Sequence, residues 1–298
     1  MTGITGGGVL GIGDLSRRTG VPVRTIRFYC DEGLLDAGRS AGGHRRFDEA
    51  AVERLRTVRR LRAIGLGLPA VADVLAGRRS LTEVIAGERA GLDAAMAEMA
   101  WRRAALRAVA DAAPADRTDR LDLLAAVPDV PAARDSLIAF WRRDYLDPAT
   151  TPTAEMFLSV IAPPPPVDPT PDQVVAYAGM VVVASDASLG RRMRARDRVR
   201  DESALHEGIG LACDLARPLV AAGRPPGAGE ALDVFVAAHA AVRGARDTPA
   251  FRRELRARTE VERDPRLRRY WRLVGAVTGE RVTLGDAYSW LLDALPTA

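Results

Sequence analysis

Lysine, cysteine and histidine are scarce in this chain. All 43 basic residues are arginine, and there are only two cysteines (Cys30, Cys213) and three scattered histidines (His44, His206, His239). A structural zinc site needs about four closely spaced ligands, and an iron–sulfur cluster needs cysteines of its own. The sequence therefore predicts no metal site and no cofactor, and it offers no nucleophile–base constellation that would indicate an enzyme.

Long apolar runs and a targeting signal are also lacking. There is no stretch of about 20 apolar residues that could cross a membrane. The N-terminal MTGITGGG is too short and too rich in glycine for a signal peptide. Two isolated cysteines suit a reducing compartment, and basic residues that are all arginine indicate a GC-rich bacterial genome. We therefore expect a cytoplasmic, nucleoid-associated bacterial protein with no membrane partner and a disordered tail over residues 1–8.

Residues 12–77 have the pattern of a winged helix-turn-helix. Thr19-Gly20 supplies a tight turn because glycine adopts a positive φ without strain. Pro22 starts a second helix over Val23–Glu32, and Gly33 ends it. In a helix-turn-helix this second helix enters the major groove, where arginine recognises the edge of guanine. The pattern therefore predicts a DNA-binding unit.

Two groups of residues are the candidate DNA contacts. Arg24 and Arg27 lie on the second helix, although an isolated pair of arginines is often only solvated charge. The glycine-rich segment 36–46 lacks helical periodicity and is typical of a β-hairpin wing. His44, Arg45 and Arg46 come just after its tip, where they can reach phosphates. A pH-sensitive or metal-binding role for His44 is a weaker alternative, since no partner His or Cys is near in sequence.

Positive charge is concentrated in the same part of the chain. Residues 1–80 contain fourteen arginines and eight acidic residues, whereas the remainder contains twenty-nine arginines and thirty-one acidic residues. Such a distribution is the electrostatic signature of a nucleic-acid-binding unit. We therefore expect DNA affinity to fall steeply with salt, because each neutralised phosphate releases counterions.

Three motifs carry a family resemblance: RRTGVPVRTIRFYCDEGLL, then GGHRRF, then LRAIGLGLPAVADVL. With them, residues 9–77 resemble the DNA-binding domain of the MerR family. The resemblance implies DNA contacts by Arg24, Thr25, Arg27, Tyr29, His44, Arg45 and Arg46. It also implies a homodimer that bends and untwists a pseudo-palindromic, double-stranded promoter for bacterial RNA polymerase. The sequence departs from the family pattern at Cys30, where Asp is usual, and at His44 and Phe47, where Tyr is frequent.

A long helix is predicted over residues 80–112. Ser80 and Glu83 form a capping box, and no proline occurs until Pro114. Apolar residues recur every seven positions at Ile85, Leu92, Met99 and Leu106. This spacing indicates a coiled-coil seam and hence a dimerisation helix, which the MerR resemblance implies to be antiparallel. The alternative is an ordinary amphipathic helix packed against its own domain.

Residues 115–298 are predicted to form an all-helical effector-binding domain. The expected helices are Ala132–Tyr145, Ala154–Ile161, Pro171–Leu189, Glu202–Ala221, Glu230–Arg243, Pro249–Glu260, Pro265–Val277 and Leu284–Leu295. The fold class of the chain is thus mainly all-α, with a small β wing. The basic run 191–200 is either a solvated helix end or a second anion-binding surface.

Aromatic residues crowd this helical domain. The candidates for a ligand pocket are Trp141, Tyr145, Tyr177, Tyr270, Trp271 and Trp290. Aromatic-lined clefts between helices are the usual form of a small-molecule site, although aromatics at helical spacing are more often core. We therefore expect a regulator controlled by a small organic effector. A domain that binds a protein partner or acts without ligand is the alternative, and a DNA-binding domain fused to an enzyme is a more remote one.

Overall fold

The computed structural model describes residues 9–39, 43–146 and 152–296. The expected tail over residues 1–8 and Gly42 of the wing lie outside the described residues. The described chain is mainly helical, with one small sheet near the N-terminus, and this confirms the predicted fold class. Two compact units are formed, Met1–Ala95 and Met96–Ala298.

The first unit begins with a short strand and contains four helices before the long one. Its elements are β1 (Leu10–Gly11), α1 (Ile12–Thr19), α2 (Val23–Asp31), β2 (Gly38–Arg39), β3 (Arg45–Phe47), α3 (Glu49–Ala63) and α4 (Leu68–Leu75). The strands form an antiparallel sheet in the order β1-β3-β2, in which Leu10 is paired with Phe47 and Gly38 with Arg46. The predicted hairpin β2–β3 is therefore present, with β1 as a third strand that the sequence did not predict.

The turn between α1 and α2 depends on Gly20. Its φ of 69° is left-handed, and its N–H caps α1 by donating to the carbonyl oxygen of Ser16 at 2.8 Å. The Ser16 hydroxyl in turn donates to the carbonyl of Val21 at 2.7 Å. Arg59 of α3 donates to the Thr19 carbonyl. Hydrogen bonds within the turn and from α3 therefore fix the angle between α1 and α2.

Helix α5 spans Leu81–Ala110, beginning in the first unit and ending in the second. The predicted capping box is present, because the Glu83 N–H donates to the Ser80 hydroxyl at 3.2 Å and the Ser80 N–H donates to the Glu83 carboxylate at 2.8 Å. At a rise of about 1.5 Å per residue such a helix is roughly 45 Å long.

Ten further α-helices and two 3-10 turns make up the rest of the described second unit. They are a 3-10 turn at Pro114–Asp116, α6 (Arg117–Ala125), α7 (Val130–Asp144), α8 (Pro152–Ile161), α9 (Pro171–Ala184), α10 (Ala187–Arg194), α11 (Glu202–Ala221), α12 (Glu230–Ala241), α13 (Pro249–Arg258), a 3-10 turn at Glu260–Arg263, α14 (Pro265–Thr278) and α15 (Leu284–Ala294). Helix α6 was not among the predicted helices.

The predicted single helix Pro171–Leu189 is wrong, because the chain breaks at Ser185-Asp186 into α9 and α10. The Asp186 carboxylate accepts from the N–H groups of Ser188 and Leu189 at 2.8 and 3.3 Å, and so caps α10. It also pairs with Arg266 of α14 at 2.6 Å. This long-range contact favours a new helix start over continuation of α9.

The second unit contains two hydrophobic clusters. One is built on α7, α9 and α14, with Tyr177, Met180 and Tyr270 fully buried. The other joins α11, α12 and α15 around Phe235 and Leu291. Within the described ranges, no single helix is long and apolar enough to cross a membrane; α9 and α10 satisfy that test only as a pair bent by 60°.

Candidate nucleic-acid interface and cavity

Helix α2 presents opposite faces to the core and to solvent. Ile26 is fully buried in the cluster that contains Leu15 and Val52. Arg24 and Arg27 are exposed on the opposite face, and neither forms an ion pair within the described part of the chain. Phe28, which is 45% exposed, lies beside them at helical spacing. The exposed face of α2 therefore combines two uncompensated cations with one aromatic ring.

Two other predicted contacts on α2 are less accessible. Thr25 is half-buried, and half-buried Tyr29 packs against both hydrophobic clusters of the first unit. Its carbonyl oxygen accepts from the N–H groups of Leu34 and Leu35 at 2.9 and 3.2 Å. Tyr29 therefore also supports the end of α2. Phe28 was not predicted as a contact, although its spacing of four residues from Arg24 places it on the same face.

The wing arginines differ in their surroundings. Arg45 pairs with Asp31 at the end of α2, with 2.7 Å between Nη2 and Oδ1. Arg46 is exposed and makes no ion pair with any residue that the structure describes, and His44 is exposed as well. Phe47, only 2% exposed, anchors β3 in the core. Arg45 thus joins the wing to α2, whereas Arg46 remains available to a phosphate.

The predicted seam on α5 is an exposed apolar stripe. Leu92, Met99 and Leu106 are 57%, 71% and 65% exposed, whereas Ile85 is half-buried. Met96, between them, is 68% exposed. Large apolar side chains in such a row are costly to leave in water, because burying each one is worth about 1.5–3 kcal/mol. The stripe is therefore a candidate surface for a partner helix.

The second unit contains a partly open cavity of about 280 Å³. Three of the six predicted pocket aromatics line it, namely Trp141, Tyr145 and Trp271. The other three lie outside its lining. Fully buried Tyr177 and Tyr270 donate their hydroxyls to the carbonyl oxygens of Pro163 and Ile161, at 3.4 and 2.7 Å, and the Trp290 indole donates to the Arg224 carbonyl at 2.8 Å. Those three side chains hold loops and helices together.

Polar groups that the sequence did not single out also line the cavity: His206, Cys213, Glu262 and Tyr288. Tyr288 donates a hydrogen bond to the Glu262 carboxyl. Burial raises the pKa of Glu262 despite that hydrogen bond and the nearby arginines. Burial, together with the charge of Arg196, lowers the pKa of His206 to about 4, so its imidazole is neutral near pH 7.

Three of the six arginines in the basic run 191–200 are paired with carboxylates. Arg192 pairs with Asp264 at 2.8 Å, Arg194 with buried Asp144, and Arg196 with Glu202 at 2.8 Å. These pairs make the run a structural element of the second unit. Across the residues described, no three His, Cys, Asp or Glu side chains come together in a group that could hold a metal ion.

A short turn between two helices, an exposed basic second helix and a hairpin packed on a three-helix core define a winged helix-turn-helix DNA-binding domain. The sequence model of the MerR HTH family regulatory proteins matches residues 10–78. Residues 10–78 are therefore similar to the helix-turn-helix domain of the MerR family regulatory proteins.

Individual relatives agree with this assignment. The nodulation protein NolA of Bradyrhizobium sp. (strain NC92) is 32% identical over 140 residues, which cover 47% of this chain and 56% of that protein. The HTH-type transcriptional regulator HmrR of Rhizobium leguminosarum bv. viciae is 36% identical over 67 residues, covering 22% and 52%. The mercuric resistance operon regulatory protein of Pseudomonas fluorescens is 40% identical over 67 residues, covering 22% and 46%.

The matched region spans about half the length of these relatives. No solved structure is significantly similar to the chain. The similarity therefore covers the DNA-binding domain and, for NolA, an additional stretch of chain beyond that domain.

Proposed function

We propose that this chain is a DNA-binding transcription regulator of the MerR type, not an enzyme, and that a small organic ligand in its second unit controls it. The observation that carries the proposal is the exposed face of α2, where Arg24 and Arg27 are free of ion pairs among the described residues. Relatives with the same domain are named as a transcriptional regulator and an operon regulatory protein. A cytoplasmic location is proposed with this function.

The protein would bind DNA as a homodimer. The exposed stripe of Leu92, Met99 and Leu106 on α5, with Ile85 at its start, supports a paired helix in which these side chains leave water. Two copies of the recognition helix match a pseudo-palindromic promoter, since operator symmetry mirrors protein symmetry. In this proposal the dimer distorts the promoter spacer for RNA polymerase, and contacts to the DNA backbone offset a deformation cost of a few kcal/mol.

Each arginine would have a distinct role on DNA. Arg24 and Arg27 approach base edges, where guanidinium groups bind guanine in a bidentate manner. Arg46 on the wing, together with His44, approaches phosphates, which fix position without reading sequence. Arg45 stays paired with Asp31 and keeps the wing at a fixed distance from α2. Thr25 and Tyr29 contribute through their partly exposed atoms at the same helix.

The ligand would occupy the cavity lined by Trp141, Tyr145 and Trp271. A largely apolar, aromatic cavity with a few polar groups is the usual form of a small-molecule site. A ligand shifts a regulator between two DNA-bound states only to the extent that it binds them unequally. Control by ligand therefore requires the cavity to differ between the bent and unbent complexes.

The test measures affinity for a specific promoter site and for random DNA over a series of salt concentrations. Arg24→Ala should weaken specific binding by about 1–3 kcal/mol and leave random binding almost unchanged. Arg46→Ala should weaken both and reduce the salt slope by about one. Arg60→Ala is the control, because Arg60 is exposed on α3. Equal losses on both DNAs for Arg24→Ala would refute a base-contacting role.

A further inference from the structure

The walls of the cavity are a group of aromatic rings from four helices or their ends. Tyr145 and Phe157 are stacked, with ring centroids 5.4 Å apart and an angle of 23°. His206 lies parallel to Phe157 at 5.8 Å, and Trp141 meets both Tyr145 and Phe157 edge-on. Trp271 completes the lining from α14. Aromatic faces carry negative potential, so such walls favour a flat apolar molecule and tolerate a positive charge.

A carboxyl group lies among these rings. Glu262, in the 3-10 turn that precedes α14, lines the cavity and accepts one hydrogen bond from the Tyr288 hydroxyl. It forms no ion pair in the described portion of the chain. Burial raises its pKa, because an ionised carboxylate is disfavoured away from water. The site thus holds an acidic group that has no ion-pair partner among the described residues.

The charged groups around Glu262 are engaged elsewhere. Arg196 pairs with Glu202 at 2.8 Å and lies 4.7 Å from the centroid of the Tyr145 ring. Arg243 pairs with Asp197 at 3.1 Å. Arg263 donates to the carbonyl oxygens of Arg256 and Leu292 at 2.9 and 2.7 Å. These three arginines lower the pKa of Glu262, but burial outweighs them.

The other polar residues of the lining do not change this balance. His206 is neutral near pH 7, and burial raises the pKa of the Cys213 thiol to about 12. Burial likewise raises the pKa of Tyr145 and Tyr288. Asp214 and Arg217 also line the cavity and lie 3.8 Å apart, so the charge of Arg217 is offset by exposed Asp214 and not by Glu262. Glu262 is therefore the lining group that gains most from an added positive charge.

We propose that the cavity binds an organic monocation, an aromatic molecule with one quaternary or protonated nitrogen, with the ring against the aromatic walls and the charge against Glu262. This inference rests on the proposed ligand-controlled function and specifies its ligand class. A volume of about 280 Å³ limits the ligand to the small end of the usual range. Binding of a permanent cation displaces the proton from Glu262, so association releases a proton wherever the free carboxyl is protonated.

Three probes of equal shape and different charge test the proposal on the full chain without DNA. They are N-methylquinolinium, its neutral isostere 1-methylnaphthalene, and the anion 1-naphthoate, with affinities measured by titration calorimetry. N-Methylquinolinium should bind at least about tenfold more tightly than 1-methylnaphthalene, and 1-naphthoate should bind more weakly than either. Titrations in two buffers of different ionisation enthalpy, repeated over a series of pH values, should show proton release with N-methylquinolinium alone, at the pH values where the free carboxyl is protonated.

Glu262→Gln should bring the affinity for N-methylquinolinium to the level of 1-methylnaphthalene and abolish proton release. Glutamine still accepts from Tyr288, and an unchanged thermal melt would confirm folding. Glu260→Gln is the matched control, because Glu260 is exposed in the same 3-10 turn and does not line the cavity. Proton release by the native chain is independent of the variants and retains the test even if Glu262→Gln unfolds.

Several outcomes would overturn the assignment. Equal affinity for N-methylquinolinium and 1-methylnaphthalene would overturn it. A preference for N-methylquinolinium that persists in Glu262→Gln would also overturn it. If 1-methylnaphthalene or 1-naphthoate binds better than the cation, the charge assignment is wrong but a ligand-controlled regulator stands. Binding of none of the three probes also refutes the monocation class. Failure of the Arg24→Ala experiment, in contrast, would refute the base-contacting role of α2 and would not bear on the cavity chemistry.

Discussion

Replacing Gly285 by alanine should destabilise the second unit. Gly285 lies in the first turn of α15, directly under the indole ring of Trp271 from α14. A Cβ atom at this position would lie 1.9 Å from Cγ, 2.0 Å from Cδ2 and 2.2 Å from Cδ1 of that ring. Carbon atoms pack at about 3.5–4.0 Å, so the ring would have to move away by roughly 1.5 Å.

Two opposing effects set the size of the change in the free energy of unfolding. Overpacking of a close-packed core costs about 1–3 kcal/mol. Glycine to alanine in a helix recovers about 0.5–1 kcal/mol of conformational free energy. Trp271 is only 8% exposed and lines the cavity, so any shift of its ring away from α15 disrupts the packing of the cavity wall. We therefore expect the free energy of unfolding to fall by about 1–2 kcal/mol.

Gly210→Ala is the matched control. Gly210 is also a helical glycine of the second unit, in α11, and an added Cβ would meet no atom within 4 Å. This variant should raise the free energy of unfolding by about 0.5–1 kcal/mol. The two substitutions are chemically identical, so opposite signs isolate the effect of Trp271.

Urea unfolding monitored by tryptophan fluorescence is the assay. All four tryptophans, Trp101, Trp141, Trp271 and Trp290, lie in the second unit, so the signal reports its unfolding and not that of the DNA-binding unit. A change of midpoint at constant slope measures the change in stability. If Gly285→Ala and Gly210→Ala shift the midpoint in the same direction by similar amounts, the packing argument is refuted.

Two further predictions concern pH and dimerisation. Burial lowers the pKa of His206 to about 4 and that of His239 to about 3, so the unfolded chain takes up protons below about pH 6.5 that the folded chain refuses. Stability of the second unit should therefore decline as the pH falls from about 6.5 towards 4. His239→Gln should flatten that decline in urea titrations monitored by tryptophan fluorescence, and an unaltered pH profile would contradict burial as the cause. Met99→Glu should convert the proposed homodimer to monomer in sedimentation equilibrium, because it places a charge in the apolar stripe of α5. Ala94→Glu, on the other side of the helix, should leave the association state of the native chain unchanged; a dimer that persists in Met99→Glu would exclude this seam.

The features predicted correctly from the sequence are those specified by neighbouring residues. The turn at Gly20, the capping box of Ser80 and Glu83, and the wing anchored by Phe47 each depend on residues within a few positions or within one hairpin. Such local signals survive in the fold because the tertiary contacts agree with them. Strand β1, which pairs with β3 of the wing, was not predicted because its two residues are too few for a recognisable alternation.

The features that were not predicted depend on distant residues. The break between α9 and α10 is stabilised by Arg266, 80 positions from Asp186. Tyr270 lies outside the cavity lining, and its hydroxyl donates to the carbonyl of Ile161, 109 positions away. Glu262 is one acidic residue in a charged stretch, and only the packing of Tyr288 against it distinguishes it from its neighbours.

The two cysteines differ in accessibility, so the rates at which they are labelled report the opening of the second unit in the native chain. Half-buried Cys30 lies on α2 in the first unit, whereas Cys213 is fully buried in the wall of the cavity with its pKa raised to about 12. A thiol reagent would therefore label Cys30 in the folded protein and reach Cys213 only when the second unit opens. The rate at which Cys213 is modified therefore measures how often the second unit opens, without any engineered label. A molecule bound in the cavity would lower that rate.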